Sequence, residues 1–120
     1  MSDVVLYEEI DGVALVTLNR PERLNSWTGE LGSAYFDALD RASGSGDVKS
    51  VVVTGAGRGF CSGADMDMLQ GIGARDGEEE SAPRLRNERH DYALSIPKPV
   101  VAAINGACAG LGFVHAMMCD

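Results

Sequence analysis

Val100-Val101-Ala102-Ala103-Ile104-Asn105-Gly106-Ala107-Cys108-Ala109-Gly110-Leu111-Gly112 decides how this chain is read. The apolar run at its start, preceded by Pro97-Lys98-Pro99, predicts a buried strand. Asn105-Gly106 predicts a turn, and residues 110–118 predict the start of a helix. The same plan occurs earlier in the chain. Ser50-Val51-Val52-Val53-Thr54 predicts a strand covered on both faces. A glycine-rich loop over 55–59 follows it, and then Gly59-Phe60-Cys61-Ser62-Gly63-Ala64-Asp65. In open α/β sheets, ligands sit beyond the carboxyl ends of strands. Small residues let a ligand approach the backbone, and unpaired N–H groups at a helix start attract negative charge. Two such groups aimed at one carbonyl oxygen make an oxyanion hole. Taken singly, each loop also reads as a tight turn whose glycines relieve steric strain. Neither matches a phosphate-binding GxxxxGK[ST] or GxGxxG pattern.

Working outward, residues 4–9 predict an edge strand, and Asp11-Gly12 a hairpin turn into a second strand over 13–18. Asn19-Arg20-Pro21 ends that strand, because proline removes a donor and restricts its predecessor. Thr28 predicts a helix N-cap. Leu31, Tyr35, Ala38, Leu39 and Ala42 then fall at helical spacing over 29–42. Residues 65–70 predict a short helix. Residues 71–82 predict a mobile acidic surface loop, with the glutamates at 78–80 solvated. A further helix is expected over 83–96, with Leu85, Tyr92, Ala93 and Leu94 toward the core. The resulting order, β-β-α-β-α-α-β-α, is that of an α/β fold.

Composition limits the partners. The chain has 120 residues, 45% hydrophobic and 23% charged, which fits one globular domain and excludes a disordered tail. Ten Lys and Arg stand against 18 Asp and Glu, a net charge of -8, which argues against nucleic acid. A small anionic ligand needs only a local arginine or backbone N–H groups, so it stays open. No run reaches the roughly 18 apolar residues of a membrane helix. Met1-Ser2-Asp3 lacks the build of a signal peptide, so a cytoplasmic location is expected. Cys61, Cys108 and Cys119 are odd in number without CxxC spacing, and read as reduced thiols. With His90 and His115 they form no metal constellation.

Together these stretches resemble the crotonase superfamily, the enoyl-CoA hydratase/isomerase family. The resemblance is carried by Val13-Ala14-Leu15-Val16-Thr17-Leu18-Asn19-Arg20-Pro21-Glu22-Arg23-Leu24-Asn25, by residues 51–55, by residues 59–65 and by residues 98–112 with Met117-Met118-Cys119-Asp120. It implies an α/β, crotonase-like spiral of repeated β-β-α units, with residues 1–120 as the N-terminal portion of a single domain. It implies a coenzyme A thioester as substrate, no further cofactor or metal, a role in fatty-acid metabolism and assembly as a homotrimer or hexamer. It also implies that the backbone N–H groups of Ala64 and Leu111 hold the thioester oxygen as it becomes an enolate. Arg23, Leu24, Ser62, Ala64, Asp65, Met66 and Leu111 are the implied thioester-binding residues, with Arg23 able to meet a phosphate.

One departure bears on the reaction. Hydratases of this family carry a glutamate on the helix after the second loop, and the matching position here is Val114. His115 is one position off, about a hundred degrees round the helix. The expectation is therefore double-bond isomerisation or another thioester reaction, with two-glutamate hydration disfavoured. The alternative is an acyl-CoA-binding or degenerate member without acid and base. The apolar set Phe113, Val114, Met117 and Met118 leads to the expectation that a second half, or a partner, covers it. Residues 1–120 alone are expected to be marginally stable or aggregated.

Overall fold

The computed structural model describes residues 3–66 and 85–120. Strand β1 spans Val5–Ile10 and β2 spans Val13–Leu18, paired antiparallel. Asp11 (φ 49°) and Gly12 (φ 84°) make the turn between them, both left-handed as a tight hairpin requires. A 3-10 turn at Pro21–Arg23 leads to helix α1, Gly29–Gly44. The Thr28 side chain caps that helix by accepting from the Leu31 N–H at 3.1 Å. Strands β3 (Ser50–Gly55) and β4 (Gly59–Cys61) follow, and after them β5 (Val100–Ala102), β6 (Ala107–Cys108) and helix α2 (Leu111–Met117). The order β1-β2-α1 and β5-β6-α2 repeats one unit, as the α/β spiral expectation requires.

The main sheet runs β1-β2-β3-β5, with β2, β3 and β5 parallel. The register pairs Ala14 with Val51 and Val16 with Val53, so these four share one face, and all are buried. Helix α1 covers that face with Leu31, Tyr35, Leu39 and Ala42. Strand β3 is buried at Val51 and Val53 but only half-buried at Val52 and Thr54, so it is not fully covered on both faces. Among the described residues, α1 lies on one face alone.

Three expectations need correction. The strand over 100–104 stops at Ala102, and Val101 and Ile104 are exposed. It lies at the end of the sheet among the described residues, so its outer row and second face stay open. The helix over 83–96 is absent from its described part: 85–89 is irregular and Tyr92–Ser95 is a 3-10 turn. Arg86 there bonds Glu88, two residues on, and reaches across to Asp37 on α1, a pattern that a helix surface does not offer. Ala93 is buried, but Leu85 and Leu94 are exposed, not in the core. Third, the loops contain two short strands that composition did not signal, β4 and β6, paired parallel with Gly59 opposite Ala107 and Cys61 opposite Cys108. The expected helix over 65–70, apart from Asp65 and Met66, and the acidic loop 71–82 lie outside the described residues.

Candidate active site

The β4–β6 pair brings the two small-residue loops together. Ala109 N–H donates to the Cys61 carbonyl at 3.1 Å. Gly63, at φ 118°, lies so close that a Cβ there would stand 3.2 Å from the Ala109 oxygen. A Cβ on Gly110, at φ 53°, would stand 3.5 Å from Gly63 Cα. The two backbones therefore touch at Gly63 and Gly110, and the next residue of each is Ala64 and Leu111. Both contact positions have positive φ, where a side chain would be strained.

Local hydrogen bonds aim each N–H group. Trp27 pairs with Ala64 in a single parallel bridge: Trp27 N–H donates to Gly63 O at 2.7 Å, and Asp65 N–H donates to Trp27 O at 2.9 Å. Trp27 thus bonds the residues on either side of Ala64, which turns Ala64's own N–H away from it. Leu111 is the first residue of α2, so its N–H has no acceptor within the helix. Among the described residues nothing accepts from either group. The positive φ falls on Gly110 while Leu111 is helical, so leucine at the donor position meets no backbone obstacle.

The remaining sequence-derived site residues divide. Asp65 is 3% exposed, and its Oδ2 accepts from Ser26 Oγ at 2.8 Å and lies 3.4 Å from Arg20 and 3.5 Å from Arg23. Its carboxylate therefore faces inward and fixes the first loop. Arg23 turns its guanidinium toward Asp65, with the side chain still 44% exposed. Leu24 is left-handed (φ 50°), and its carbonyl accepts from Ser62 N–H at 3.0 Å. Met66 is exposed beyond the loop. A cleft of about 330 Å³ beside Leu111 is walled by Trp27, Gly29, Leu85, Asn87 and His90. Another of about 520 Å³ is walled by residues 87–91 together with Val114 and Met118.

Several supporting residues escaped the sequence reading. Asn25, fully buried, donates to Ala56 O and Gly59 O at 3.0 and 2.8 Å and accepts from Arg20 N–H at 2.6 Å. Asn105 clasps the same turn from the other side, donating to Gly55 O at 2.9 Å and accepting from Gly55 N–H at 3.1 Å. Their signal was asparagine beside each loop, a residue whose amide can replace backbone partners. His115 stacks on Trp27, ring centroids 3.9 Å apart and 11° between planes. Its Nε2 is buried without a partner among the described residues. Burial, with a smaller contribution from His90, pushes its pKa down to about 4, so it is neutral at pH 7. Burial also raises the thiols of Cys61, Cys108 and Cys119, the last to about 11, which keeps them protonated and poor nucleophiles. Among the described residues no group of three His, Cys, Asp or Glu could hold a metal, and no helix is long and apolar enough to cross a membrane.

Comparison with known proteins bears directly on this geometry. The family model described as Enoyl-CoA hydratase/isomerase matches residues 8–120. The chain belongs to the enoyl-CoA hydratase/isomerase family. It is 40% identical over 121 residues to a Mycobacterium tuberculosis protein named probable enoyl-CoA hydratase echA14, covering 98% of this chain and 45% of that one. It is 34% identical to the 1,2-epoxyphenylacetyl-CoA isomerase of Escherichia coli K12, covering 98% and 45%. The crystal structure of the enoyl-CoA hydratase EchA12_1 from Mycobacterium marinum superposes with a TM-score of 0.78 at 38% identity, over 99% of this chain and 49% of that one. The fold is therefore crotonase-like. The chain spans about half the length of the family members it matches.

Proposed function

We propose that this chain binds an acyl-CoA thioester with its carbonyl oxygen between the N–H groups of Ala64 and Leu111, and stabilises the enolate that forms there. The observation that supports this reading is the contact of Gly63 with Gly110, the residues before Ala64 and Leu111, whose N–H groups meet no acceptor among the described residues. Donors fixed in advance need no reorganisation as charge builds on the oxygen, and one such donor is worth on the order of a hundredfold in rate. Family membership supports a CoA thioester as the substrate class. Arg23, Leu24, Ser62, Asp65 and Met66 complete the thioester site in this reading, Asp65 through its backbone. The reaction is a double-bond shift or another enolate reaction, within lipid metabolism in the cytoplasm, by a homotrimer or hexamer without further cofactor. Val114 has no proton to transfer, which argues against hydration by two glutamates. That same residue favours a second reading, acyl-CoA binding without turnover.

The test compares butyryl-CoA with S-butyl-CoA, which has the same length but no carbonyl. Two hydrogen bonds at the usual net strength should make butyryl-CoA bind about thirtyfold tighter by calorimetry. Equal affinity would overturn the oxyanion assignment.

A further inference from the structure

Trp27 reaches both donor loops. Its backbone bonds Gly63 O and Asp65 N–H, the groups on either side of Ala64. Its indole lies flat on the ring of His115, with centroids 3.9 Å apart and 11° between planes. His115 stands four residues after Leu111 on α2, one helical turn away on the same side. We infer that His115 is a positioning residue for the thioester site: by stacking on Trp27 it sets the aim of the Leu111 N–H relative to that of Ala64. The inference rests on the thioester reading above.

N–H groups run along a helix axis, so the tilt of α2 decides where the Leu111 N–H points. The start of α2 is pinned at Gly110, beside Gly63, and at Gly112, beside Cys61. Contacts at one end leave a helix free to tilt about that end. The stack supplies a second point of contact one turn further on. Both rings are buried, Trp27 being 7% and His115 5% exposed. Tyr35 of α1 meets each of them edge-on, at 5.6 Å in both cases. Phe36 packs on the same pair, at 6.4 Å from Trp27 and 6.2 Å from His115. The pair is therefore held against α1 and does not drift with α2. His115 Nε2 makes no hydrogen bond among the described residues, so the side chain acts here through the face of its ring. Precision of this kind matters at a donor, because a misplacement of about 1 Å can cost on the order of a hundredfold in rate.

The experiment measures butyryl-CoA and S-butyl-CoA binding by calorimetry for the parent, His115→Leu and His115→Phe, each first shown to unfold cooperatively in urea. The ratio of the two affinities isolates the carbonyl oxygen, and a merely structural role would not move it. The parent ratio should be about thirtyfold. H115L, similar in volume but without a ring, should lower it to about fivefold, the value of one hydrogen bond, with S-butyl-CoA affinity within about threefold of the parent's. H115F keeps a ring to stack, and should restore a ratio within about twofold of the parent's. An unchanged ratio in H115L overturns the positioning role and leaves the thioester reading standing. A ratio in H115F as low as that in H115L does the same. A parent ratio of one overturns the thioester reading itself, and this inference with it. Should H115L fail to fold, His115→Met, whose flexible chain fills irregular space, takes its place with the same outcomes.

Discussion

Around Ala64 the chain is held by polar bonds. Asp65 takes Ser26 and Arg20, Asn25 ties the neighbouring turn, and Trp27 clamps the residues on either side. Around Leu111 the same task is done by missing side chains. A Cβ on Gly106 would overlap the Arg58 carbonyl oxygen, and one on Gly112 would overlap that of Cys61. The two loops carry the N–H groups proposed to hold the thioester oxygen, yet one depends on charge and hydrogen bonding and the other on close backbone packing. The first should respond to pH and to polar substitutions, the second to added volume.

The largest effect expected from this contrast is at Gly112. Gly112→Ala places a methyl group against a backbone oxygen of β4, which no side-chain rotation can relieve. We expect a loss of more than about 4 kcal/mol, read as the disappearance of a cooperative urea transition. A variant that unfolds near the parent midpoint would show that α2 can slide off β4, and that the second loop is not sterically fixed.

Next in size is Asp65→Ala. It leaves Arg20, with its side chain 18% exposed, facing an empty position. Removing one member of a largely buried pair typically costs about 4 kcal/mol. High salt should change this loss little, because the Asp65–Arg20 pair is shielded from the solvent ions that screen exposed charges. A loss below about 1 kcal/mol for Asp65→Ala would mean that Trp27's backbone bonds hold the first loop unaided.

Third is the pH dependence of the link between the loops. His115, on the helix of the second loop, stacks on Trp27, the clamp of the first. Its pKa is about 4 when folded against 6.5 for the ordinary side chain. As pH falls, the unfolded chain therefore takes up the proton first. The stability tied to neutral His115 is complete above about pH 6.5 and lost as pH drops toward 4, on the order of 3 kcal/mol. Urea midpoints at pH 7 and pH 4.5 should differ more for the parent than for His115→Leu. Parallel acid losses in the two proteins would assign the sensitivity to the carboxylates instead.

Legibility followed the range of the interactions. Strands β2 and β3 and the N-cap at Thr28 were readable because apolar runs and capping are local. Strands β4 and β6 were not, since each is too short to show a period and exists by pairing with the other. The helix expected over 83–96 failed because Arg86 finds Asp37 across 49 residues of sequence. Ala64 and Leu111 were reached through the family's motif pattern. The Gly63–Gly110 contact, one residue before each, is non-local, and no spacing rule shows it. His115 was read correctly as facing away from Val114's position, but its partner Trp27 could not be named from the sequence.

The smallest effect tests whether the polar network around Ala64 is shared or concentrated. Ser26 Oγ donates to Asp65 at 2.8 Å and sits 3.0 Å from Arg20, while the Ser26 carbonyl accepts from the same guanidinium at 2.7 Å. Ser26→Ala removes the hydroxyl alone. Asp65 keeps its arginines and Arg20 keeps the carbonyl, so neither charge is stranded. The expected cost is about 1 kcal/mol, the net value of one hydrogen bond. In combination with Asp65→Ala the losses should fall short of additive, because both substitutions break the Ser26–Asp65 bond. Additive losses would show Ser26 and Asp65 acting separately, and the first loop would then be held by independent bonds instead of one network.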